Sequence, residues 1–134
     1  MMKVQINMDD VLNFMRVRGD LSAIAREVLV RRATALAAKS KGIEVTDDEI
    51  QKAADAFRMV NGLQSAASTT EWFANAGITL DHFEEYLETN ILIKKFKESF
   101  RDEDDFNRVL HSDRVKSAVC DILFDEWLKK ELAE

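Results

Sequence analysis

Proline is absent from the chain, and glycine occurs only four times in 134 residues. Because proline ends helices and glycine weakens their interiors, this scarcity predicts long helices and few β-turns. One short alternating stretch, KVQIN (3–7), is too short to build a sheet. The sequence therefore predicts an all-α fold of six or seven helices, and its length predicts a single domain over residues 1–134.

Cysteine is equally scarce, since Cys120 is the only one and no disulfide can form within the chain. It lies in the apolar sequence SAVCDILF, where a cysteine is ordinarily a small buried hydrophobe. No apolar run approaches the length of a membrane span, and Asp9 and Asp10 interrupt the stretch where a secretory signal would be apolar. The default expectation is a cytoplasmic protein that does not bind membranes, although a removed signal would leave no trace.

The net charge of -6 disfavours a protein that grips nucleic-acid phosphates. The charge is uneven: residues 1–42 hold eight Lys/Arg against four Asp/Glu, whereas residues 43–134 hold eleven against twenty-one. Complementary helix faces, within one fold or between two copies, are the favoured interpretation. The alternative is a basic surface for an acidic partner.

The residues that catalysis and metal binding need are also few. The only histidines are His82 and His111, and neither has another histidine or a cysteine at a metal-ligand offset. Cys120 and His111 form a nominal thiol–imidazole pair that nothing in the sequence orients. No Glu-x-x-His sequence, phosphate loop or dinucleotide fingerprint occurs. These observations predict a protein that is not an enzyme and takes no metal or cofactor.

What the sequence does contain is a set of helix starts and stops. Two similar phrases, KSKGIEVTDDEI and ANAGITLDHFEEY, each place a glycine, an isoleucine and a threonine before an acidic and apolar run. Gly42 and Gly77 are expected to end helices, and Thr46 and Thr79 to cap the next ones. The other predicted starts are at Asn7, Asp20, and Ser112 or Asp113. The predicted helices include 21–41, a short one ending at 76, 80–100 and another around 103–110.

The last helix, which begins near residue 114, carries two apolar stripes. A single surface contact needs only one stripe, so this helix is expected either to thread between other helices or to pair with a second chain. The residues predicted to form a homodimer are Val115, Val119, Ile122, Phe124, Trp127 and Leu128.

Over about residues 4–100 the order of these signals resembles the N-terminal helical domain of SurA-type chaperones and parvulin-type foldases. The resemblance rests on Gly42-Ile43-Glu44-Val45-Thr46-Asp47-Asp48-Glu49-Ile50 and on Gly77-Ile78-Thr79 before a long helix. It implies that a C-terminal helix packs back on the N-terminal ones and that the domain binds unfolded or extended polypeptide. The 34 residues after Phe100 are too few for a parvulin domain, so prolyl isomerase activity is not expected. Shorter relatives of this kind resemble helpers of peptide maturation or secretion.

Methionines and aromatic residues make adaptable apolar surfaces, which suit varied peptides. The sequence therefore predicts a non-catalytic, chaperone-like module that binds a peptide or protein segment. The alternative is a structural or interaction protein, either a homodimeric helical adaptor or a subunit that docks on an enzyme. The candidate peptide-binding residues are Met8, Phe14, Met15, Phe57, Met59, Trp72, Phe73, Phe83 and Tyr86.

Overall fold

The computed structural model describes residues 3–102 and 104–133. Within these ranges the chain forms seven α-helices, one 3-10 turn (Phe100–Asp102) and no strand, which confirms the all-α prediction. The helices are α1 (Met8–Arg18), α2 (Asp20–Ser40), α3 (Asp47–Val60), α4 (Ala66–Ala76), α5 (Leu80–Ser99), α6 (Asp104–Leu110) and α7 (Asp113–Leu132).

The helices belong to two compact units, Met1–Phe96 and Lys97–Glu134, and the boundary between the units lies inside α5. The first unit contains α1 to α4 and most of α5. The second contains the end of α5, the 3-10 turn, α6 and α7, with α6 packed against both the turn and α7. That all residues form a single domain, and that α7 packs back on the N-terminal helices, both stay predictions.

Three of the predicted helix starts are built as expected. The Asp10 N–H donates to Asn7 Oδ1 at 2.9 Å, and the Asn7 N–H donates to Asp10 Oδ2 at 3.3 Å. Thr46 and Glu49 form the same reciprocal pair, with distances of 3.2 and 3.1 Å. For α7 the cap is Ser112, which decides between the two candidates. Each cap satisfies backbone donors that the first turn of a helix leaves without partners.

The two repeated phrases are confirmed as stop-and-restart signals between helices. Gly42 and Gly77 take the left-handed backbone conformation, with φ of 81° and 67°. The following residues, Ile43 and Ile78, donate their N–H groups back to carbonyls in the helices that end there, at 3.1 and 3.3 Å. Thr79 then accepts a backbone N–H of α5 at 3.2 Å. Only glycine adopts this conformation without steric cost, which explains why both phrases place a glycine at the end of a helix.

The predicted cap at Asp20 is wrong. The residue before α2 is Gly19, with φ of 82°, and it makes no side-chain capping bond. Asp20 is instead the first helical residue, and its carboxylate lies 3.3 Å from Arg18 Nε. The reason is that Gly19 alone connects α1 and α2, so Asp20 already has helical geometry. Its negative charge interacts favourably with the positive end of the helix dipole instead of capping the helix.

Two further boundaries differ from the expected ones. The sequence TEWFANA (70–76) indicates a short helix that ends before Gly77. The helix α4 is longer than this sequence, because Ser65 caps it and it begins at Ala66. The helix expected around 103–110 is α6, which begins at Asp104, and position 103 lies outside the described residues.

The core of the first unit is small and centres on α5. Phe83, Leu87 and Leu92 of this helix are buried, Leu92 almost completely with 2% of its surface exposed. Ala38 of α2 and Leu63 in the α3–α4 loop are the other buried apolar residues in the described chain. A Lys39–Glu88 ion pair of 3.3 Å and the hydrogen bond from Arg31 to Asn90 join α2 to α5.

Much apolar surface stays uncovered in α1 and α2. The exposed large apolar side chains of these helices include Met8, Val11, Phe14, Val17, Ile24, Leu29 and Leu36. Scattered exposed apolar residues are ordinary, but extended sets of them mark interaction surfaces. The N-terminal helices therefore offer apolar area beyond what the core of the first unit uses.

The expectation that Cys120 is buried is wrong, because its thiol is exposed on α7. Its neighbours Val119 and Phe124 are exposed as well. Apolar neighbours in sequence bury a cysteine only where another element covers that side of the helix.

No helix in the described parts of the chain combines the length and apolar character needed to cross a membrane.

Candidate functional site

Four aromatic rings meet where α3, α4 and α5 pack together. The ring of Phe83 lies 5.0 Å from that of Phe57, 5.4 Å from that of Phe73 and 6.0 Å from that of Trp72, measured between centroids. All of these pairs are edge-to-face, the arrangement that the charge distribution of aromatic rings favours. Phe83 is buried, whereas the other three rings are half-buried. One side of the cluster therefore remains accessible.

An apolar groove begins on this accessible side. One depression, of about 510 Å³, is lined by Phe57, Trp72, Ile78, His82, Phe83 and Tyr86. A second, of about 400 Å³, runs between α3 and α5 and is lined mostly by Ala53, Ala56, Phe57, Val60, Tyr86, Leu87 and Ile91, with Asn61, Asn90 and Lys94 as its polar members. The two depressions share Phe57 and Tyr86, so they adjoin each other, and together they are here called the aromatic groove.

Tyr86 stands at the junction and is half exposed, at 49%. The Arg31 guanidinium lies over its ring, 5.0 Å from the centroid. Arg31 Nη1 also donates to Asn90 Oδ1 at 2.8 Å, and Nη2 donates to the Tyr86 carbonyl at 3.5 Å. These contacts tie α2 to α5 and fix the ring that both depressions share.

Beside Tyr86 a smaller depression, of about 170 Å³, carries most of the charge near the groove. It is lined by Val28, Arg31, Arg32, His82, Glu85, Tyr86 and Thr89, and we call it the arginine corner. It shares His82 and Tyr86 with the aromatic groove. The corner therefore opens directly onto the apolar surface.

The α3–α5 wall is held by an ion pair near the start of α3. Lys95 Nζ lies 2.7 Å from Glu49 Oε2 and donates to the Glu44 carbonyl at 2.8 Å. The Lys95 ammonium, which donates to the carboxylate, and the Thr46 backbone N–H hold the pKa of Glu49 below its ordinary value. Glu49 thus serves both the capping box and the packing of α3 on α5.

The α4 wall is held by the loop that precedes it. Arg58 Nε donates to the Leu63 carbonyl at 3.1 Å and to Thr69 Oγ1 at 3.2 Å. The Thr69 hydroxyl in turn donates to the Leu63 carbonyl at 3.2 Å. This network fixes the tight connection between α3 and α4, and so fixes Trp72 relative to Phe57.

The structure brings five of the nine candidate peptide-binding residues together. Phe57, Trp72, Phe83 and Tyr86 line the aromatic groove, and Phe73 contacts it through the ring cluster. The other four lie elsewhere. Met8, Phe14 and Met15 lie on α1, and Met59 lies on a different side of α3, beside Asp55, Arg58 and Gln64. A role in binding stays a prediction for all nine.

Sequence reasoning missed several residues that line the groove. Ile78, which stands out in the sequence only as part of the second repeated phrase, lines the larger depression. Ala53, Ala56, Val60 and Ile91 line the second depression. The usable signal was the pair of alanines three residues apart in a helix beside an aromatic residue. His82, which the sequence offers no metal-ligand partner, is exposed and lines both the groove and the arginine corner.

The residues predicted to form a homodimer all lie on α7. Val115 is half-buried, and Val119, Ile122, Phe124, Trp127 and Leu128 are exposed. The rings of Phe124 and Trp127 lie 5.9 Å apart on the helix surface. The second unit therefore presents a large apolar helix surface of its own.

Comparisons of the chain with protein-family models, with curated proteins and with solved structures found no match. The resemblance to SurA-type chaperones stays a prediction that rests on the quoted residues alone.

Proposed function

We propose that this chain is a non-catalytic, chaperone-like module that holds an extended segment of another polypeptide in the aromatic groove. The observation that supports it best is the pair of adjoining depressions that share Phe57 and Tyr86, with apolar walls from three helices. Such walls bind apolar side chains by excluding water, and a few fixed polar groups orient the bound chain.

The shape of the groove favours an extended peptide over a compact small molecule. The two depressions adjoin and share Phe57 and Tyr86, so two apolar side chains of a client can be held at once, one in each depression. Ring edges and the small Ala53 and Ala56 tolerate side chains of different shapes. The resemblance to SurA-type chaperones points to the same class of ligand and to a role in peptide maturation or secretion.

Two adjacent residues give a matched test. Val60 lines the groove and is 84% exposed, whereas Met59 is 70% exposed and lines a different depression. An aspartate at either position lies in the last turn of α3, so both variants carry the same unfavourable effect on the helix dipole. Any difference between them therefore reports on the groove.

The measurement is fluorescence anisotropy with labelled peptides rich in apolar residues, together with suppression of aggregation of an unfolded protein. We expect Val60→Asp to weaken peptide binding by about tenfold, because a charge would be buried against apolar side chains. Met59→Asp should bind like the unmodified chain. Absence of binding by the unmodified chain at high micromolar peptide, or equal loss in both variants, would contradict the proposal. A prolyl isomerase assay should give no activity above background.

A second candidate function, a homodimeric interaction protein, is favoured by the exposed apolar surface of α7. The accessible surface of the chain is 11454 Å². Two separate compact units of these lengths would expose only about 8,500 Å². The excess of about 3,000 Å² belongs to the whole chain, including α1 and α2, and it exceeds the roughly 800 Å² per partner that a standard interface buries. A second copy is the occupant that this surface fits best, because its α7 carries the same apolar side chains.

Sedimentation over a range of concentrations tests this candidate. Ile122→Asp should shift a dimer to monomer, whereas Ser117→Asp, which changes an exposed polar residue of the same helix, should leave the mass unchanged. A monomer at all concentrations in the unmodified chain would exclude the homodimer.

A further inference from the structure

The arginine corner contains two cations that have no acidic partner among the residues that the structure describes. Arg31 is half-buried, and its described contacts are to neutral groups: the Asn90 amide oxygen, the Tyr86 carbonyl and the Tyr86 ring. Within residues 3–102 and 104–133, neither Arg31 nor Arg32 forms an ion pair. A partly desolvated cation without a counter-ion is costly, and binding of an anion relieves that cost.

Arg31 is also held in place before any ligand arrives. A guanidinium has five N–H donors in a planar fork, and the two hydrogen bonds described here leave donors unused. Because its orientation is already set by Asn90 and Tyr86, little side-chain entropy is lost when it binds a carboxylate. Arg32 is exposed and lines the same depression, so it can supply a second positive charge.

The other titratable groups near the corner limit its charge without cancelling it. Glu85 lines the depression but lies beyond ion-pair distance from both arginines. His82 lines it as well. The neighbouring Glu88 is paired with Lys39, at 3.3 Å, so it does not neutralise the corner. Two arginines and one glutamate leave a net positive site beside an apolar groove.

We propose that the arginine corner binds the carboxylate of an aspartate or glutamate side chain of the client, while an adjacent apolar residue of the client enters the aromatic groove. This inference rests on the proposed function and names the class of client: segments in which an acidic residue lies beside large apolar ones. The aromatic groove consists of two adjoining depressions that share Tyr86 with the corner. An extended client that occupies both depressions passes the corner, so the carboxylate is assigned to a side chain and not to a C-terminus.

The test uses labelled peptides with acetylated and amidated ends and one apolar core, flanked by glutamate, glutamine or lysine. We expect the glutamate peptide to bind about three- to tenfold more tightly than the glutamine peptide, and the lysine peptide to bind most weakly. High salt should reduce these differences. A peptide without acidic residues but with a free C-terminal carboxylate should bind no better than its amidated form.

Variants identify the groups responsible. Arg31→Gln and Arg32→Gln should each reduce the preference for glutamate, and Glu85→Gln should increase it, because Glu85 opposes the incoming carboxylate. Arg26→Gln, a substitution of an exposed arginine of α2 outside the corner, is the control and should have no effect. Arg31→Lys keeps the positive charge but loses the planar fork of N–H donors. Its preference for the glutamate peptide should therefore lie between those of Arg31→Gln and the unmodified chain.

The outcomes separate this inference from the proposed function. If the three peptides bind equally, or if Glu85→Gln leaves the preference unchanged, the carboxylate site is wrong while the groove still binds clients. If the free C-terminus binds more tightly than the amide, the site recognises chain ends, and the commitment to an acidic side chain is overturned. If no peptide binds, the proposed function itself fails.

Discussion

Replacement of Phe83 by alanine tests whether the aromatic cluster holds the first unit together. Phe83 is only 8% exposed and makes edge-to-face contacts with Phe57, Trp72 and Phe73. Truncation of a buried phenylalanine to alanine costs about 3–5 kcal/mol of unfolding free energy. Because the open groove lies beside Phe83, water and neighbouring rings can fill part of the cavity. We therefore expect the lower end of this range, about 3 kcal/mol.

Two controls give that number its meaning. Phe83→Leu keeps most of the apolar volume and loses mainly the ring contacts, so we expect a loss of about 1–2 kcal/mol. Phe14→Ala removes the same side chain from α1, where it is 62% exposed, and should cost about 1 kcal/mol or less. The order of the three variants is thus set by burial and not by residue type.

The assay is urea denaturation followed by tryptophan fluorescence. The chain has two tryptophans, so Trp127→Phe is used as the background and Trp72, which contacts Phe83, becomes the reporter. A double-mutant cycle with Phe57→Leu and Phe83→Leu should give a coupling of about 0.5–1.5 kcal/mol. If Phe83→Ala lies within 1 kcal/mol of the background chain, or if Phe14→Ala costs as much, the cluster is not the centre of the first unit and the reasoning fails.

Three further predictions concern the elements around α3. Thr46→Ala should lower the unfolding free energy in urea by about 1 kcal/mol, with Thr46→Ser nearly unchanged, because the hydroxyl caps α3. Glu49→Gln should be less stable than the unmodified chain at neutral pH. Because the pKa of Glu49 is lowered on folding, its contribution is present above the unfolded pKa and is lost as pH falls through the folded one, so melting temperatures of the two chains should converge in acid. Gly42→Ala should lower the unfolding free energy in urea by about 1–2 kcal/mol, because φ at this position is +81°. No atom lies near an added Cβ, so the loss comes from the backbone conformation alone. Gly42→Asn should cost less.

The local features of this fold could be predicted because each depends on a few neighbouring residues. The stop at Gly42 and the cap at Thr46 need only a left-handed residue and a hydroxyl three positions before a glutamate. Asp20 shows the limit of this reasoning. Gly19 ends α1 and directly precedes α2, so Asp20 is the first residue of α2 and not its cap. A cap that depends on the preceding helix cannot be assigned from its own segment.

The groove could be predicted only in part. Phe57, Trp72 and Phe83 are candidate binding residues because of their aromatic type, and that type does not distinguish a binding position from a core position. Met8 and Met59 have the same adaptable chemistry, but their position relative to the cluster depends on how α1 and α3 are rotated. Side-chain type indicates which residues can form an apolar binding surface. The packing of the helices decides which of those residues lie together in the groove.

The groove and the core of the first unit use the same residues, and this decides which experiments are informative. Phe57 and Phe83 both line the groove and hold α3 against α5, so their removal would weaken binding and stability together and could not separate the two. Val60 and Arg32 lie at the surface and hold no other element in place. A loss of binding in variants of these two residues, with the free energy of unfolding unchanged, can come only from the groove and the arginine corner themselves.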